Sequence, residues 1–236
     1  AQDVSRVVST LRVDVLREFP HDTNAYTQGL LWWQGKLYES TGRYGASTLR
    51  RIDPETGNVE QRVDIDPNLF GEGLARVDDQ LIMLTWKAQL AFVFGLDRLD
   101  ERRTFRYRGE GWGICYNGTQ LVMSDGSDVL TFRDPVSFEG IGSLAVILEG
   151  QPQMHLNELA CVGDEIYANI WERDYIVRID SRTGLVTHQI NAGGLLTRDE
   201  ARGADVLNGI AYKPETDTFF ITGKWWPKMF EVRFVE

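Results

Sequence analysis

A short motif recurs five times along the chain, and no other feature limits the possible folds so severely. "YTQGLL" begins at residue 26, "FGEGLA" at 70, "EGWGIC" at 110, "HLNELA" at 155 and "VLNGIA" at 206. In each copy a distinctive third residue (Gln28, Glu72, Trp112, Asn157, Asn208) precedes a small or acidic fourth and an apolar tail. The third positions are 44, 40, 45 and 51 residues apart. A second element follows each motif: "GKLYESTG" at 35, "DQLIMLTW" at 79, "TQLVMSDG" at 119, "DEIYANIW" at 164 and "DTFFITGK" at 217. These are β-type runs entered through turn-like pairs. A third run follows, as in "TLRRIDPETG" at 48 and "YIVRIDSRTG" at 175, whose Asp-Pro-Glu-Thr-Gly and Asp-Ser-Arg-Thr-Gly ends are turn signals. A fourth, weaker run is "VEQRVDID" at 59 or "ERRTFRYR" at 101.

Four short strands per unit of 40–50 residues is the pattern of a β-propeller. The expectation is therefore an all-β, single-domain, five-bladed propeller over residues 1–236, with four antiparallel strands per blade. The blades run approximately over 20–66, 67–109, 110–150, 151–191 and 206–236. The last copy ends at its third strand, and the spare segment 11–19, "LRVDVLREF", is expected to complete that blade and close the ring. An open ring would leave a blade edge unpaired. Helix is nearly absent from this reading; only 193–205 has room for one short helical turn.

In a hairpin, the start of the first strand lies beside the end of the second. Gln28 should then approach Gly42, Glu72 approach Trp86, Trp112 approach Gly126 and Asn157 approach Trp171. The last hairpin is two residues longer, which brings Asn208 near Lys224. First strands line a propeller's axis, so these residues should converge on one mouth. The apolar tails Leu30, Leu74, Ile114, Leu159 and Ile210 should pack between blades, and Gly29, Gly73, Gly113 and Gly209 should ease close backbone approach. Three Trp at equivalent blade ends favour a pocket wall, and Trp225 and Trp226 beside Lys224 strengthen that, one of them serving as packing. Lys224 facing Glu72 is a candidate charge stabiliser, whereas Asn208 is expected to satisfy backbone groups at the axis.

Composition narrows the function. A formal net charge of −10 argues against nucleic acid and against an anionic membrane surface. No run approaches the roughly 18 apolar residues of a membrane span. Cys115 and Cys161 either pair or remain buried thiols, and the sequence leaves both open. His21, His155 and His188 are far apart and show no zinc spacing, so no metal site is assigned.

At these residues the chain resembles a known family. "YTQGL", "FGEGL", "GWG", "LNELA" and "LNGIA", with "TGKWWPKMFEV" near the end, look like the plant-type glutaminyl cyclases and their bacterial relatives. The resemblance runs from about residue 20 to the C-terminus, with five motifs in order. It implies a five-bladed propeller, in agreement with the count above, and an acyltransferase that converts the N-terminal glutamine of peptides or proteins to pyroglutamate with release of ammonia. It implies Glu72 as the acid/base residue with Gln28, Asn157 and Lys224 as polar partners. Trp86, Trp112 and Trp171 would surround the substrate side chain, with Tyr26 and Phe70 in the wall; Tyr26 stands where some relatives carry Phe. No cofactor is required, although a structural ion near the axis is compatible with the family. The competing readings are a calcium-dependent propeller hydrolase or lactonase, which needs more acidic ligands than the single Glu72, and a non-enzymatic peptide-binding propeller. The first residue is Ala rather than Met, which with family habit suggests a processed, periplasmic or secreted protein. A propeller buries its own edges, so a monomer is expected.

Overall fold

A computed structural model describes residues 7–236. Strands account for every regular element except one 3-10 turn, Glu200–Arg202, which lies inside the segment expected to hold it. The N-terminal strand β1 (Ser9–Pro20) is followed by two four-stranded units: β2–β5 (Thr27–Trp33, Lys36–Thr41, Thr48–Ile52, Val59–Asp64) and β6–β9 (Gly71–Val77, Gln80–Thr85, Leu90–Gly95, Glu101–Arg106). Then come β10–β13 (Ile114–Tyr116, Leu121–Met123, Val129–Arg133, Gly140–Ala145) and a small hairpin, β14–β15 (Ile147–Leu148, Gln151–Pro152). The last two units are β16–β19 (Leu156–Val162, Glu165–Ile170, Tyr175–Asp180, Val186–Asn191) and β20–β22 (Leu207–Lys213, Thr218–Gly223, Lys228–Val235).

Within each unit neighbouring strands pair antiparallel in sequence order, as short hairpin connections require. The turn signals act as read. Asp53 Oδ1 accepts from the Glu55 amide at 3.0 Å, and the chain turns through Gly57 at φ 75°. Asp180 and Gly184 repeat the arrangement, with Asp180 Oδ1 accepting from the Arg182 amide at 2.9 Å. Burial falls from the first strands outward: β2 and β6 are mostly buried, β5 and β9 mostly exposed.

Five apolar clusters lie at five seams between units. Each contains one motif tail: Leu30 with Phe220 and Ala211, Leu74 with Tyr38 and Leu49, Ile114 with Ala75 and Ile82, Leu159 with Cys115 and Val122, and Ile210 with Ala160 and Tyr167. All five tails are at most 2% exposed. The first strands touch one another in the cyclic order β2, β6, β10, β16, β20 and back to β2. A disulfide between Cys115 and Cys161 joins β10 to β16, which decides the question the sequence left open.

The N-terminal strand does more than the sequence pattern indicates. β1 pairs antiparallel with β22 over Arg12–Pro20, and its first residues, Ser9–Arg12, pair parallel with β19. The fourth and fifth units therefore merge into one eight-stranded sheet. The physical reason is length. β1 has 12 residues against 8 in β22, so its start overruns its partner and satisfies its backbone groups on the outer edge of β19.

Candidate active site

Four of the five motifs sit at a β-bulge. The register between first and second strands shifts between Thr27 and Gly29, between Gly71 and Leu74, between Leu156 and Leu159, and between Leu207 and Ile210. A bulge bends the strand and re-aims the extra residue out of the pleat. The re-aimed residues are Gln28, Glu72, Asn157 and Asn208. In the remaining unit Trp112 lies just before β10, with its amide donating to Ser124 O at 3.1 Å. The glycines after these residues permit the bulges to crowd together: a Cβ on Gly73 would stand 2.7 Å from Trp112 O.

One cavity of about 330 Å³ receives these side chains. Its lining is Tyr26, Gln28, Arg43, Phe70, Glu72, Trp86, Trp112, Asn157, Trp171 and Lys224. Nine of the residues expected at the site are thus brought together, and Arg43 joins them, whereas Asn208, also expected at the mouth, is not in the lining. Asn208 is behind the wall. Its Nδ2 donates to Thr27 O at 3.0 Å and to Gln28 Oε1 at 3.3 Å. It therefore ties down the backbone, as expected, and also engages the oxygen of Gln28, which leaves the Gln28 NH2 as a donor for the cavity.

The aromatic wall has two sides, one of them backed by Trp225. Trp225 meets Tyr26 at 4.9 Å between centroids, Tyr26 meets Phe70 at 6.0 Å, and Phe70 meets Trp86 at 5.4 Å. On the other side Trp112 and Trp171 are edge to face at 5.7 Å. Glycine and tryptophan alternate at the ends of the second strands for a steric reason. Where the repeat has Gly126, a Cβ would stand 2.6 Å from Trp112 Cζ2, so the small residue makes room for the indole of its own unit. Of the pair Trp225 and Trp226, Trp226 is the one that serves as packing, as expected, while Trp225 is not in the cavity lining. Trp225 backs Tyr26 from outside the cavity, and Trp226 is 6% exposed in the core beneath it.

Electrostatics sets the chemistry. Glu72 is 5% exposed, and burial holds its carboxyl well above the usual carboxylate range. Lys224 opposes that shift and the Glu110 charge adds to it. Burial pushes the Lys224 ammonium down, against the pull of Glu72 and Asp205. Its Nζ lies 4.5 Å from the Tyr26 ring centroid. Among the described residues no ion pair within 4.0 Å joins Glu72 to Lys224, so a cavity separates an acid from an amine. Asn157 is 2% exposed, and its Oδ1 is a buried acceptor without a partner. Such an atom costs about 1–3 kcal/mol until a donor arrives.

Three acids near the site were not singled out from the sequence. Glu110 opens the third motif copy, two residues before Trp112. Glu158 stands where the other motifs have glycine; its Oε1 accepts from the Leu30 amide at 3.1 Å, from the opposite side of the ring. Burial holds Glu158 well above the usual range, and the nearby Glu72 charge adds to the shift. Asp205 faces Lys224. Glu110 and Glu158 both lie inside the quoted motifs, so the repeat itself was the available signal. Asp205 and Arg43 lie in loops outside the motifs, and no pattern marks them.

An all-β fold of sheets around first strands, with an acid and an amine facing each other in an aromatic cage, defines a propeller-type enzyme of acyl transfer. The family model for glutamine cyclotransferase matches residues 1–234, and the chain belongs to that family. It is 37% identical over 226 residues to the glutaminyl-peptide cyclotransferase of Arabidopsis thaliana, covering 94% of this chain and 71% of that one. It is similar to the crystal structure of Myxococcus xanthus glutaminyl cyclase, with a TM-score of 0.88, 42% identity, and coverage of 97% and 99% of the two chains. A β-propeller domain from Myceliophteria thermophila, 10% identical with a TM-score of 0.55 over 93% of this chain and 99% of that one, shares the fold alone.

Proposed function

We propose that the cavity cyclises the N-terminal glutamine of peptides or proteins to pyroglutamate. The observation that carries this reading is the buried carboxyl of Glu72 facing Lys224 across an aromatic-lined cavity of about 330 Å³. The family and both relatives named for glutaminyl cyclisation support it.

In the reaction the α-amine nitrogen attacks the side-chain amide carbon, the bond to the amide NH2 breaks, and ammonia leaves. The attack is intramolecular, so orientation is the main contribution the cage can make; effective molarities reach about 10⁵ M or more in aligned systems. A free N-terminal amine titrates near pH 7.7–8.0, roughly, so part of it is neutral near pH 7. Glu72 accepts the proton of the attacking amine and returns it to the leaving ammonia. Its raised pKa makes the ionised carboxyl a stronger base for the accepting half of that task and keeps the proton available over a wider pH range for the donating half. Lys224 and the Gln28 NH2 donate to the oxyanion of the tetrahedral intermediate. Asn157 Oδ1 accepts from a substrate N–H, relieving its own lack of a partner. The wall of Trp86, Trp112, Trp171, Tyr26 and Phe70 folds the glutamine chain.

The rest of the reading is architectural. Residues 7–236 form one five-bladed propeller with the blade limits given above, and β1 closes it; residues 1–6 of the expected domain lie outside the described residues. The five seam clusters and the cyclic contacts of the first strands support this. No metal takes part in the reaction; the protein acts as a periplasmic or secreted monomer. The test is ammonia release from a Gln-peptide, with mass spectrometry for the 17-dalton loss, before and after thorough chelation. Turnover that survives chelation and falls about 10²–10⁴-fold in Glu72→Gln is expected. Near-normal turnover in that variant would remove Glu72 from the reaction. Dependence on calcium would favour the hydrolase reading.

A further inference from the structure

Glu110 lies outside the cavity lining, yet it holds two members of the lining at once. Its Oε2 accepts the indole N–H of Trp86 at 2.8 Å and the indole N–H of Trp112 at 2.9 Å. The two indoles come from different units: Trp86 follows β7, and Trp112 precedes β10. An indole nitrogen is a donor only, so each ring has one direction in which to make its hydrogen bond. Convergence of both on one oxygen sets the angle between the two rings.

The acid is itself held. Lys87 Nζ lies 3.9 Å from Glu110 Oε1 and 4.0 Å from the Trp86 ring centroid. The next amide, Gly111, donates to Trp86 O at 3.0 Å. A Cβ on Gly111 would stand 2.8 Å from Thr85 O and would also collide with the Tyr107 hydroxyl. The backbone carrying the carboxylate therefore has little room to shift.

We infer, on the cyclase reading of the pocket, that Glu110 is a positioning residue that clamps Trp86 and Trp112 and so sets the width of the slot for the glutamine side chain. It touches no reacting atom. It acts through the two indoles, and its removal leaves Glu72, Lys224 and Asn157 in place. Its charge also helps to raise the Glu72 carboxyl, and that contribution is lost in Glu110→Ala and Glu110→Gln alike, so the loss that separates the two variants falls on substrate fit. A glutamine at this position keeps an oxygen that can accept both N–H groups, whereas alanine keeps none.

The test compares Glu110→Ala, Glu110→Gln and the parent for KM and kcat on a Gln-peptide, and for near-UV circular dichroism of the indoles without substrate. The alanine variant is expected to raise KM on the order of tenfold, as loss of hydrogen bonds to a charged acceptor implies, with kcat changed less than about threefold. Its indole spectrum should change, and Glu110→Gln should restore both KM and spectrum to near the parent. An alanine variant with parent KM and parent spectrum overturns the inference. So does a glutamine variant as impaired as alanine. If the alanine variant does not fold, Glu110→Met, close in volume and without an oxygen, replaces it in the same comparison. Ammonia release by the parent judges the cyclase reading separately, and the spectra judge the clamp without any turnover.

Discussion

Glu72 shows at the scale of one residue how a site departs from what stability favours. Burial raises its pKa, so its neutral form fits the fold better than its charged form. The linkage follows in sign. Below its unfolded pKa, near 4.5, the carboxyl is neutral in both states and costs nothing. As pH rises towards the raised folded value, the unfolded chain loses its proton first, and stability falls. Glu72→Gln removes that loss. The variant should therefore melt close to the parent at pH about 4 and above it at pH about 8, with its activity gone. Parallel thermal melts at the two pH values check this; an equal gap at both would contradict the raised pKa. For the same reason the acid limb of kcat/KM should lie above the range of an ordinary carboxylate. Residue types at the motif positions were legible in the sequence because they recur. The orphaned Asn157 Oδ1 and the shared acceptor on Glu110 were not, because both depend on which side chains arrive from other units.

At the scale of elements, two links tie distant strands together. The disulfide joins β10 to β16 across 46 residues. Loop-closure entropy for that span corresponds to about 4 kcal/mol. Cys115→Ser should lower the unfolding free energy by up to about that much, measured by urea denaturation, with the parent under reductant behaving alike. A loss below about 1 kcal/mol would show that the bond constrains little. The second link is His21, just after β1. Its Nδ1 donates to Trp226 O at 2.7 Å, and its Nε2 donates to Glu39 Oε1 at 2.7 Å. Burial is the largest single influence and works against both charges, but the ion pair together with the hydrogen bonds to Trp226 O and from Thr27 and the Arg50 charge near Glu39 leaves His21 raised and Glu39 lowered. The stabilisation from His21 is present below about pH 6.5 and is lost as pH rises through its raised folded value. That from Glu39 is present above its usual 4.5 and is lost as pH falls through its depressed value. Removing one partner strands the other, so His21→Ala should cost about 3–5 kcal/mol by the same denaturation measurement. A cost under about 1 kcal/mol would mean that water reaches Glu39. Strand positions and turns were legible from alternation and from the Asp-Pro-Glu-Thr-Gly and Asp-Ser-Arg-Thr-Gly signals. The parallel pairing of β1 with β19 was not, because an edge has no sequence pattern of its own until a neighbour is placed beside it.

At the scale of the whole molecule, ring closure determines the surface. The exposed large apolar side chains include Val15 and Leu16 on β1 and Tyr44, Val136, Ile141 and Met154 elsewhere in the chain. On the monomer reading, light scattering after size exclusion should give the mass of one chain, 26.9 kDa. A stable dimer at micromolar concentration would contradict it.

The sequence by itself determined the repeat, the strand and turn pattern, the apolar tails and the roster of chemically distinctive residues, because these follow from local spacing and side-chain type. The tertiary structure alone decided the disulfide, the double pairing of β1, the absence of Trp225 and Trp226 from the wall, and the carboxylates that clamp and tune the cage. These depend on distances between residues far apart in the chain, and only packing of the units against one another establishes such distances.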